Sequence, residues 1–412
     1  MPPRKKKSSI EDAVVYDITS RESRLAACER LKTSINSSVK GDPLVQSMSD
    51  IDHEIDVIST RILSLDIATG VGGIPRGRIT EFYGVERSGK STTALQTCAV
   101  CQQAGGIILY VDSEHALDKK YCTQLGLDVD DPSFILVQTT TADDAFNTII
   151  KYLDARVVDL IIIDSLANMV PLSMDEQYHE NGVGKALVGT KARLSTAFTE
   201  LAVSRVHKSN AAMIVLQQMR TKMAPGQPVR ETSASPNSVK HNTSLRIKFS
   251  RVSDTISGLR GDESMRGDFQ ESIAKVEKNK VGPPFMQSLF RLGYGSGADY
   301  YLNLVNSCIV YKIPNVIPGG KNTIVDDNGE EICKFYPKGA AETLRNYPDT
   351  VSLLVDKLSD MVGINLYDPA RPNRHVGPYA DTIPMIEEFA NEEVDLLLVE
   401  AIIDDEPDVP SY

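Results

Sequence analysis

One short glycine-rich motif constrains the fold of this chain more than any other feature. The motif reads Gly84-Val85-Glu86-Arg87-Ser88-Gly89-Lys90-Ser91 and fits G-x-x-x-x-G-K-[ST] at every fixed position. An apolar run before it predicts a strand, Ile79–Tyr83, and the residues after it predict a helix, Ser91–Gln103. Backbone N–H groups and a helix N-terminus in this arrangement bind phosphate groups. All eight residues are therefore predicted to hold a nucleotide, with Lys90 on its phosphates and Ser91 on Mg²⁺.

Two acidic residues follow predicted strands in the same region of the chain. Asp164 ends the apolar run Leu160–Asp164 and is predicted to hold the water shell of the Mg²⁺. Glu114 follows a predicted strand, Ile107–Asp112, at the sheet edge where ligands collect in α/β proteins. Its carboxylate could activate a water molecule, or it could simply complement a helix dipole. The residues alone favour neither interpretation of Glu114.

Residues 61–300 alternate short apolar runs with amphipathic helical stretches, which predicts an α/β fold with a mostly parallel central sheet. Further predicted strands are Phe134–Gln138 and Ala212–Gln217, with Ser244–Phe249, Ser272–Glu277 and Ser288–Leu292 extending the sheet, and Ala142–Ala155 is a predicted helix. Residues 1–60 are a polar, partly helical lead-in. Residues 301–375 are predicted to form a small α+β domain with a helix at Pro348–Val362, and residues 376–412 an acidic tail.

The formal net charge of −12 is concentrated at one end of the chain. Eleven acidic residues and no lysine or arginine follow Arg374, which leaves 45 acidic against 44 basic residues in the rest. A near-neutral body can bind nucleic acid through local basic loops. The tail is predicted either to compete with DNA for those loops or to act only as a solubiliser. No export signal or apolar run of membrane-spanning length is found, so the six cysteines are expected to be reduced thiols in the cytoplasm.

Several motifs together resemble the RecA recombinase family over about residues 45–365. They are Leu63–Ala68, Gly72–Ile79, the glycine-rich motif at 84–91, Asp112–Asp118 and Lys278-Asn279-Lys280, in the family's order. The resemblance implies a RecA-like P-loop ATPase core that uses ATP and Mg²⁺. It also implies a protein that forms a helical filament with copies of itself on single-stranded DNA, pairs that DNA with a homologous duplex and exchanges strands in recombination and repair.

The resemblance also assigns roles to individual residues around the nucleotide. It implies that Glu114 is the catalytic glutamate and that Gln218 senses the γ-phosphate. Asp118 and Tyr121 resemble residues that contact the adenine, and Tyr294 resembles a further nucleotide neighbour. Lys278 and Lys280 resemble lysines that reach the ATP of the adjacent filament subunit, where they would act like arginine fingers supplied in trans.

Two DNA-binding loops are implied at residues 171–184 and 219–241. The first is acidic, whereas the second is rich in Pro, Ser, Thr and Gly and is predicted to be a mobile loop. The residues predicted to contact the DNA phosphate backbone are Arg220, Lys222, Arg230 and Lys240 in the second loop and Arg193 between the loops. The chain departs from the family pattern at Gln227, at Ser235-Pro236 in place of a Gly-Gly pair, and at His241.

Two other functions share some of these features. A ring-forming DNA helicase would keep the ATPase core, but the Lys278-Asn279-Lys280 motif and the small C-terminal domain argue against it. A DNA-binding accessory paralogue would have lost hydrolysis, whereas Lys90, Ser91, Glu114 and Asp164 are all present. The departures from the family pattern are typical of a divergent member, for instance one encoded by a bacteriophage.

Overall fold

The structure is a computed structural model that describes residues 20–39, 43–47, 55–139, 141–181, 190–222, 230–252, 269–293 and 295–371. For 177–181, 220–222 and 230–232 it describes the backbone alone. The predicted acidic tail, Tyr294, Gln227 and parts of both predicted DNA loops lie outside the described residues. The chain divides into two compact units, Met1–Ile55 and Asp56–Tyr412. The predicted domain boundaries remain predictions.

The smaller unit contains one described helix, α1 (Arg21–Ser37). Its first turn is fixed by a capping box, in which the Ser20 hydroxyl accepts a 3.0 Å hydrogen bond from the Ser23 backbone N–H. The Ser23 side chain in turn accepts from the Ser20 backbone N–H at 3.1 Å. These bonds satisfy donors that a helix start otherwise leaves without partners.

The larger unit begins with alternating strands and helices. In chain order they are β1 (Val57–Ile58), α2 (Leu63–Thr69), β2 (Ile74–Pro75), β3 (Ile79–Gly84), α3 (Lys90–Gln103), β4 (Ile108–Asp112), α4 (Lys119–Gln124), β5 (Phe134–Val137), α5 (Ala142–Ala155), β6 (Leu160–Asp164), α6 (Leu172–Asn181), α7 (Thr190–Ser209), β7 (Ala212–Lys222), β8 (Arg230–Ser233), α8 (Asn237–Asn242), β9 (Leu245–Arg251), β10 (Phe269–Asn279), β11 (Gln287–Gly293) and β12 (Gly297–Ala298). The C-terminal part contains α9 (Tyr300–Val310), β13 (Val316–Ile317), β14 (Asn322–Val325), β15 (Glu331–Phe335), α10 (Ala340–Leu344) and α11 (Pro348–Val362).

Ten strands of the described residues form one sheet in the order β12-β11-β10-β9-β3-β7-β6-β4-β5, with β8 paired to β7. The six strands from β9 to β5 pair in parallel, whereas β10, β11 and β12 extend the sheet antiparallel. The predicted α/β class with a mostly parallel central sheet is therefore confirmed. Because β3, β4, β6 and β7 run in parallel, the residues that follow them meet at one edge of the sheet.

The central sheet is covered on both faces, as its continuous apolar strands require. Leu160 and Ile162 of β6 pack into one core, and Ile161 and Ile163 pack into the other. On the second face α5 meets α7, where the rings of Phe146 and Phe198 stack with their centroids 4.0 Å apart. The first core continues into the C-terminal helices, where Leu304, Leu354 and Tyr367 are buried. The helix predicted at Pro348–Val362 is confirmed as α11.

The two predicted DNA loops contain more regular structure than the sequence indicates. In the first, residues 171–184, α6 occupies Leu172–Asn181. In the second, residues 219–241, β7 extends to Lys222 and pairs antiparallel with β8, and α8 begins at Asn237. Pro236 immediately precedes α8, where a missing N–H costs no helical hydrogen bond. The mobility predicted for the second loop remains a prediction.

No helix among the described residues is long and apolar enough to cross a membrane.

Candidate nucleotide site and DNA interface

The glycine-rich loop joins β3 to α3. Its backbone conformation depends on glycines at positions where a side chain would not fit. Gly89 lies in the left-handed region with φ 97°, directly before α3 begins. A Cβ atom on Gly84 would lie 2.1 Å from the Phe249 carbonyl oxygen of the neighbouring strand β9. The Ser88 hydroxyl donates to the Val85 carbonyl oxygen at 2.7 Å and closes the loop on itself. The result is a concave turn at a helix N-terminus, as phosphate binding requires.

Lys90 directs its ammonium group into this turn. Its Nζ donates to the carbonyl oxygens of Gly84 at 3.2 Å and Val85 at 2.7 Å. Burial lowers the pKa of Lys90, while the charges of Asp164, Glu114 and Glu86 act in the opposite direction. The lysine is thus held inside the loop, where the predicted catalytic Glu114 and the predicted metal ligand Asp164 both act on its charge.

Ser91 and Asp164 meet as the sequence predicts. The Ser91 hydroxyl donates to Asp164 Oδ2 at 3.0 Å, and the Tyr110 hydroxyl donates to the same oxygen at 3.1 Å. Burial, assisted by the charge of Glu114, raises the pKa of Asp164 to about 6. Mg²⁺ prefers oxygen ligands and usually keeps several waters, with only one or two protein carboxylates in its shell. The Ser91–Asp164 pair fits such an ion.

Glu114 is oriented by residues that sequence reasoning missed. Its Oε1 accepts hydrogen bonds from the Ser165 hydroxyl and the Asn168 side-chain amide, each at 2.8 Å. Both donors lie just after β6, so their position at a strand end is a sequence signal that could have found them. Asp112 fixes the turn that contains Glu114, because its carboxylate accepts hydrogen bonds from the backbone N–H groups of Glu114 and Leu117, each at 3.2 Å.

The residues predicted to contact adenine form one local cluster. Asp118 caps α4 and accepts from the Tyr121 backbone N–H at 2.7 Å. The Tyr121 hydroxyl lies 2.7 Å from the hydroxyl of Thr92 in the first turn of α3. Tyr121 is therefore joined to the helix that begins at the glycine-rich loop.

Gln218 lies on β7 opposite Gly84 of the glycine-rich loop in the parallel register. Its carbonyl oxygen accepts from the Ala234 backbone N–H at 2.9 Å, just beyond β8. Gln218 therefore lies next to the glycine-rich loop and is hydrogen-bonded to the residue that follows β8.

The side chains of Lys278 and Lys280 contact the end of α8 and not the glycine-rich loop of their own chain. Lys278 Nζ donates to the carbonyl oxygens of Lys240 at 2.7 Å and His241 at 2.9 Å, and Lys280 Nζ lies 3.4 Å from the His241 carbonyl oxygen. Both lysines thus cap the C-terminal end of α8, where carbonyl groups lack helical partners. Burial and the neighbouring charges of Lys280 and Arg246 lower the pKa of Lys278.

The predicted DNA contacts are placed around the hairpin and α7. Lys222 and Arg230 are paired across the two arms, and Arg220 pairs with Thr232. Lys240 donates from its ammonium group to the Ser233 carbonyl oxygen at 3.0 Å. Arg193 is exposed on α7.

Comparison with known proteins decides the family. The sequence model of the RecA N-terminal domain matches residues 30–299. The chain belongs to the RecA family. Protein RecA of Bordetella avium (strain 197N) is 38% identical over 260 residues, which are 63% of this chain and 70% of that protein. Protein RecA of Aquifex aeolicus (strain VF5) is 39% identical over 317 residues, 76% of this chain and 85% of that protein. The RecA match includes β3 to β11 and every site residue described above.

Proposed function

We propose that this RecA-family chain is an ATP-dependent DNA recombinase. It forms a filament on single-stranded DNA, pairs that strand with a homologous duplex and exchanges strands. The observation that carries the proposal is the convergence of Lys90, Ser91, Asp164 and Glu114 at one sheet edge, in a chain of this family. A phosphate-binding loop, a metal-binding pair and a candidate base are the groups that phosphoanhydride hydrolysis needs.

We assign ATP binding, and neutralisation of the charge on its phosphates, to the glycine-rich loop and α3. When bound, ATP supplies the phosphoanhydride bond, and Mg²⁺ neutralises charge on its phosphates. Lys90 would exchange its contacts with the Gly84 and Val85 carbonyl oxygens for phosphate oxygens, since the stronger charge attracts its ammonium more. Ser91 and Asp164 would hold the metal ion and its waters.

Glu114 is assigned to the attacking water. Ser165 and Asn168 both donate to Oε1, so they fix the carboxylate and leave Oε2 as the oxygen we assign to proton abstraction. A carboxylate fixed by neighbouring hydrogen bonds loses little freedom when the water binds, which favours catalysis.

Assembly is assigned to Lys278 and Lys280. Their ammonium groups contact the end of α8 within their own chain, so a role in hydrolysis requires the nucleotide of another subunit. Cations supplied in trans would neutralise charge that develops in the transition state. Hydrolysis would then depend on the filament.

DNA contact is assigned to the β7–β8 hairpin, α8 and α7. Arg220, Lys222, Arg230, Lys240 and Arg193 are cationic residues of these elements. Contacts from such residues to phosphate position a strand without reading its bases. Recombination between homologues of any sequence needs this indifference.

One paired measurement tests the proposal against its two alternatives. ATP hydrolysis is measured with and without single-stranded DNA, and the same samples are imaged by negative-stain electron microscopy. The recombinase predicts DNA-stimulated hydrolysis with helical filaments. Closed hexameric rings would support a ring helicase, and DNA binding without hydrolysis would support an accessory paralogue.

A further inference from the structure

A fully buried carboxylate lies in the strand that leads to the glycine-rich loop. Glu81 of β3 is 0% exposed and stands three residues before Gly84. Burial of a carboxylate is costly unless charge and hydrogen bonds compensate for the lost water. None of the functions assigned above uses this residue.

The partners of Glu81 come from the base of the β7–β8 hairpin. Its Oε1 accepts from the Ser233 hydroxyl, and it accepts from the Ser235 hydroxyl at 2.5 Å. Both serines are buried, and the Ser235 backbone N–H donates to the Ser233 hydroxyl at 3.1 Å. The hairpin therefore leaves the core at a point fixed by one carboxylate.

The second oxygen of Glu81 connects this point to the lysine strand. Oε2 forms an ion pair with Arg246 of β9, whose guanidinium lies 5.0 Å from the centre of the Tyr83 ring. The Tyr83 hydroxyl donates to Glu277 of β10, directly before Lys278. One polar network thus joins β3, the hairpin base and β10.

We propose that Glu81 is a positioning residue for DNA-stimulated ATP hydrolysis, which acts by clamping the base of the β7–β8 hairpin to β3 through the Ser233 and Ser235 hydroxyls. This inference rests on the proposed function, because it assumes that the hairpin binds DNA. Hydrogen bonds are directional, so two hydroxyl donors from the hairpin base to one buried carboxylate fix the hairpin more narrowly than apolar contacts would. Ser235 tightens the clamp, since a glycine there would provide no hydroxyl.

The test uses Ser235→Ala, which removes one donor and leaves the charge pair intact. The matched control is Ser352→Ala on α11, whose hydroxyl donates to the buried carboxylate of Asp368 at 2.7 Å. For each full-length protein, thermal stability, ATP hydrolysis without DNA and the single-stranded DNA concentration that gives half-maximal stimulation are measured. Hydrogen exchange at the Ala234 amide reports on the hairpin base directly.

The clamp predicts that Ser235→Ala raises the half-maximal DNA concentration roughly tenfold, the effect of one hydrogen bond to a charged group. Hydrolysis without DNA stays within about twofold of the unsubstituted protein, the Ala234 amide exchanges faster, and Ser352→Ala changes none of these. In a Glu81→Gln background the effect of Ser235→Ala is smaller, because the two residues act together. If Glu81→Gln does not fold, the comparison of Ser235→Ala with the control serine variant tests the clamp by itself.

Two results would overturn the clamp. One is an unchanged half-maximal DNA concentration or unchanged Ala234 exchange in Ser235→Ala. The other is a proportional loss of hydrolysis with and without DNA together with lower thermal stability, which indicates a purely structural role. A failure of the proposed function itself is distinguishable, because the unsubstituted protein would then show no stimulation by DNA.

Discussion

Lys278 donates a 2.7 Å hydrogen bond to the carbonyl oxygen of Lys240 at the end of α8. A lysine with a proposed role at the ATP of a neighbouring subunit is thus bound, within its own chain, to the helix that follows the β7–β8 hairpin. A lysine that moves to the neighbouring nucleotide would release the end of α8. ATP contact across the interface and the position of the hairpin would therefore be linked.

Lys280→Ala is expected to reduce hydrolysis in filaments, and mixing variants tests whether the lysine acts in trans. Lys280→Ala subunits are mixed with Glu114→Gln subunits, which are each poorly active alone. Some mixed interfaces then combine an intact Glu114 with an intact Lys280, so partial activity returns. Lys275→Ala on the same strand is the control and should retain activity. A trans role is contradicted if mixed filaments form and no ratio restores hydrolysis.

Lys90→Ala is expected to abolish hydrolysis and greatly weaken ATP binding. The loop loses the ammonium group that the carbonyl oxygens of Gly84 and Val85 now hold. Binding is measured with a fluorescent ATP analogue and turnover by phosphate release. Lys119→Ala removes an exposed lysine paired with Asp130 and should leave both unchanged. Near-normal turnover of Lys90→Ala would refute the assigned role.

Glu114→Gln is expected to retain ATP and DNA binding while hydrolysis falls by ~10²–10⁴-fold, the contribution of a general base. The amide oxygen can still accept from Ser165 and Asn168, so the site keeps its shape. Single-turnover hydrolysis and DNA binding are measured on the same preparation. A loss smaller than tenfold would assign Glu114 a structural role.

Asp66 is expected to make stability fall as the pH rises. It is 0% exposed, and burial raises its pKa from 3.8 to about 7, although hydrogen bonds from Ser59 and Thr60 act in the opposite direction. Because the folded state holds this proton more tightly than the unfolded state, the carboxyl lowers stability increasingly as the pH rises from about 4 through about 7. Between pH 4.5 and 8.5, Asp66→Asn should therefore gain roughly 3 kcal/mol of unfolding free energy relative to the unsubstituted protein.

Chemical denaturation at both pH values measures this difference. Asp360→Asn, at an exposed position of α11, is the control and should show the same pH dependence as the unsubstituted protein. An equal pH dependence for Asp66→Asn would contradict the assignment to Asp66.

Much of the nucleotide site could be predicted from the sequence because its signals are local. The glycine-rich motif lies between β3 and α3 as predicted, and Asp164 ends β6 beside Ser91. Strand and helix patterns within a few residues suffice for such predictions.

The hairpin base could not be predicted, because its contacts join distant parts of the chain. Glu81 meets Ser235 across 154 positions, and Tyr83 meets Glu277 across 194. A Ser-Thr-Pro-rich composition indicates a loop, whereas antiparallel pairing and hydrogen bonds to a buried carboxylate organise its two ends. Neither effect has a local sequence signal.

Strand exchange is the most direct test of the central claim. A circular single strand is incubated with a homologous linear duplex, ATP, Mg²⁺ and the full-length protein, and joint molecules and nicked circles are resolved by gel electrophoresis. The recombinase predicts nicked circles with the unsubstituted protein, none with Lys90→Ala, and none with a non-homologous duplex. Absence of joint molecules from the unsubstituted protein, under conditions where it hydrolyses ATP on single-stranded DNA, would contradict the account.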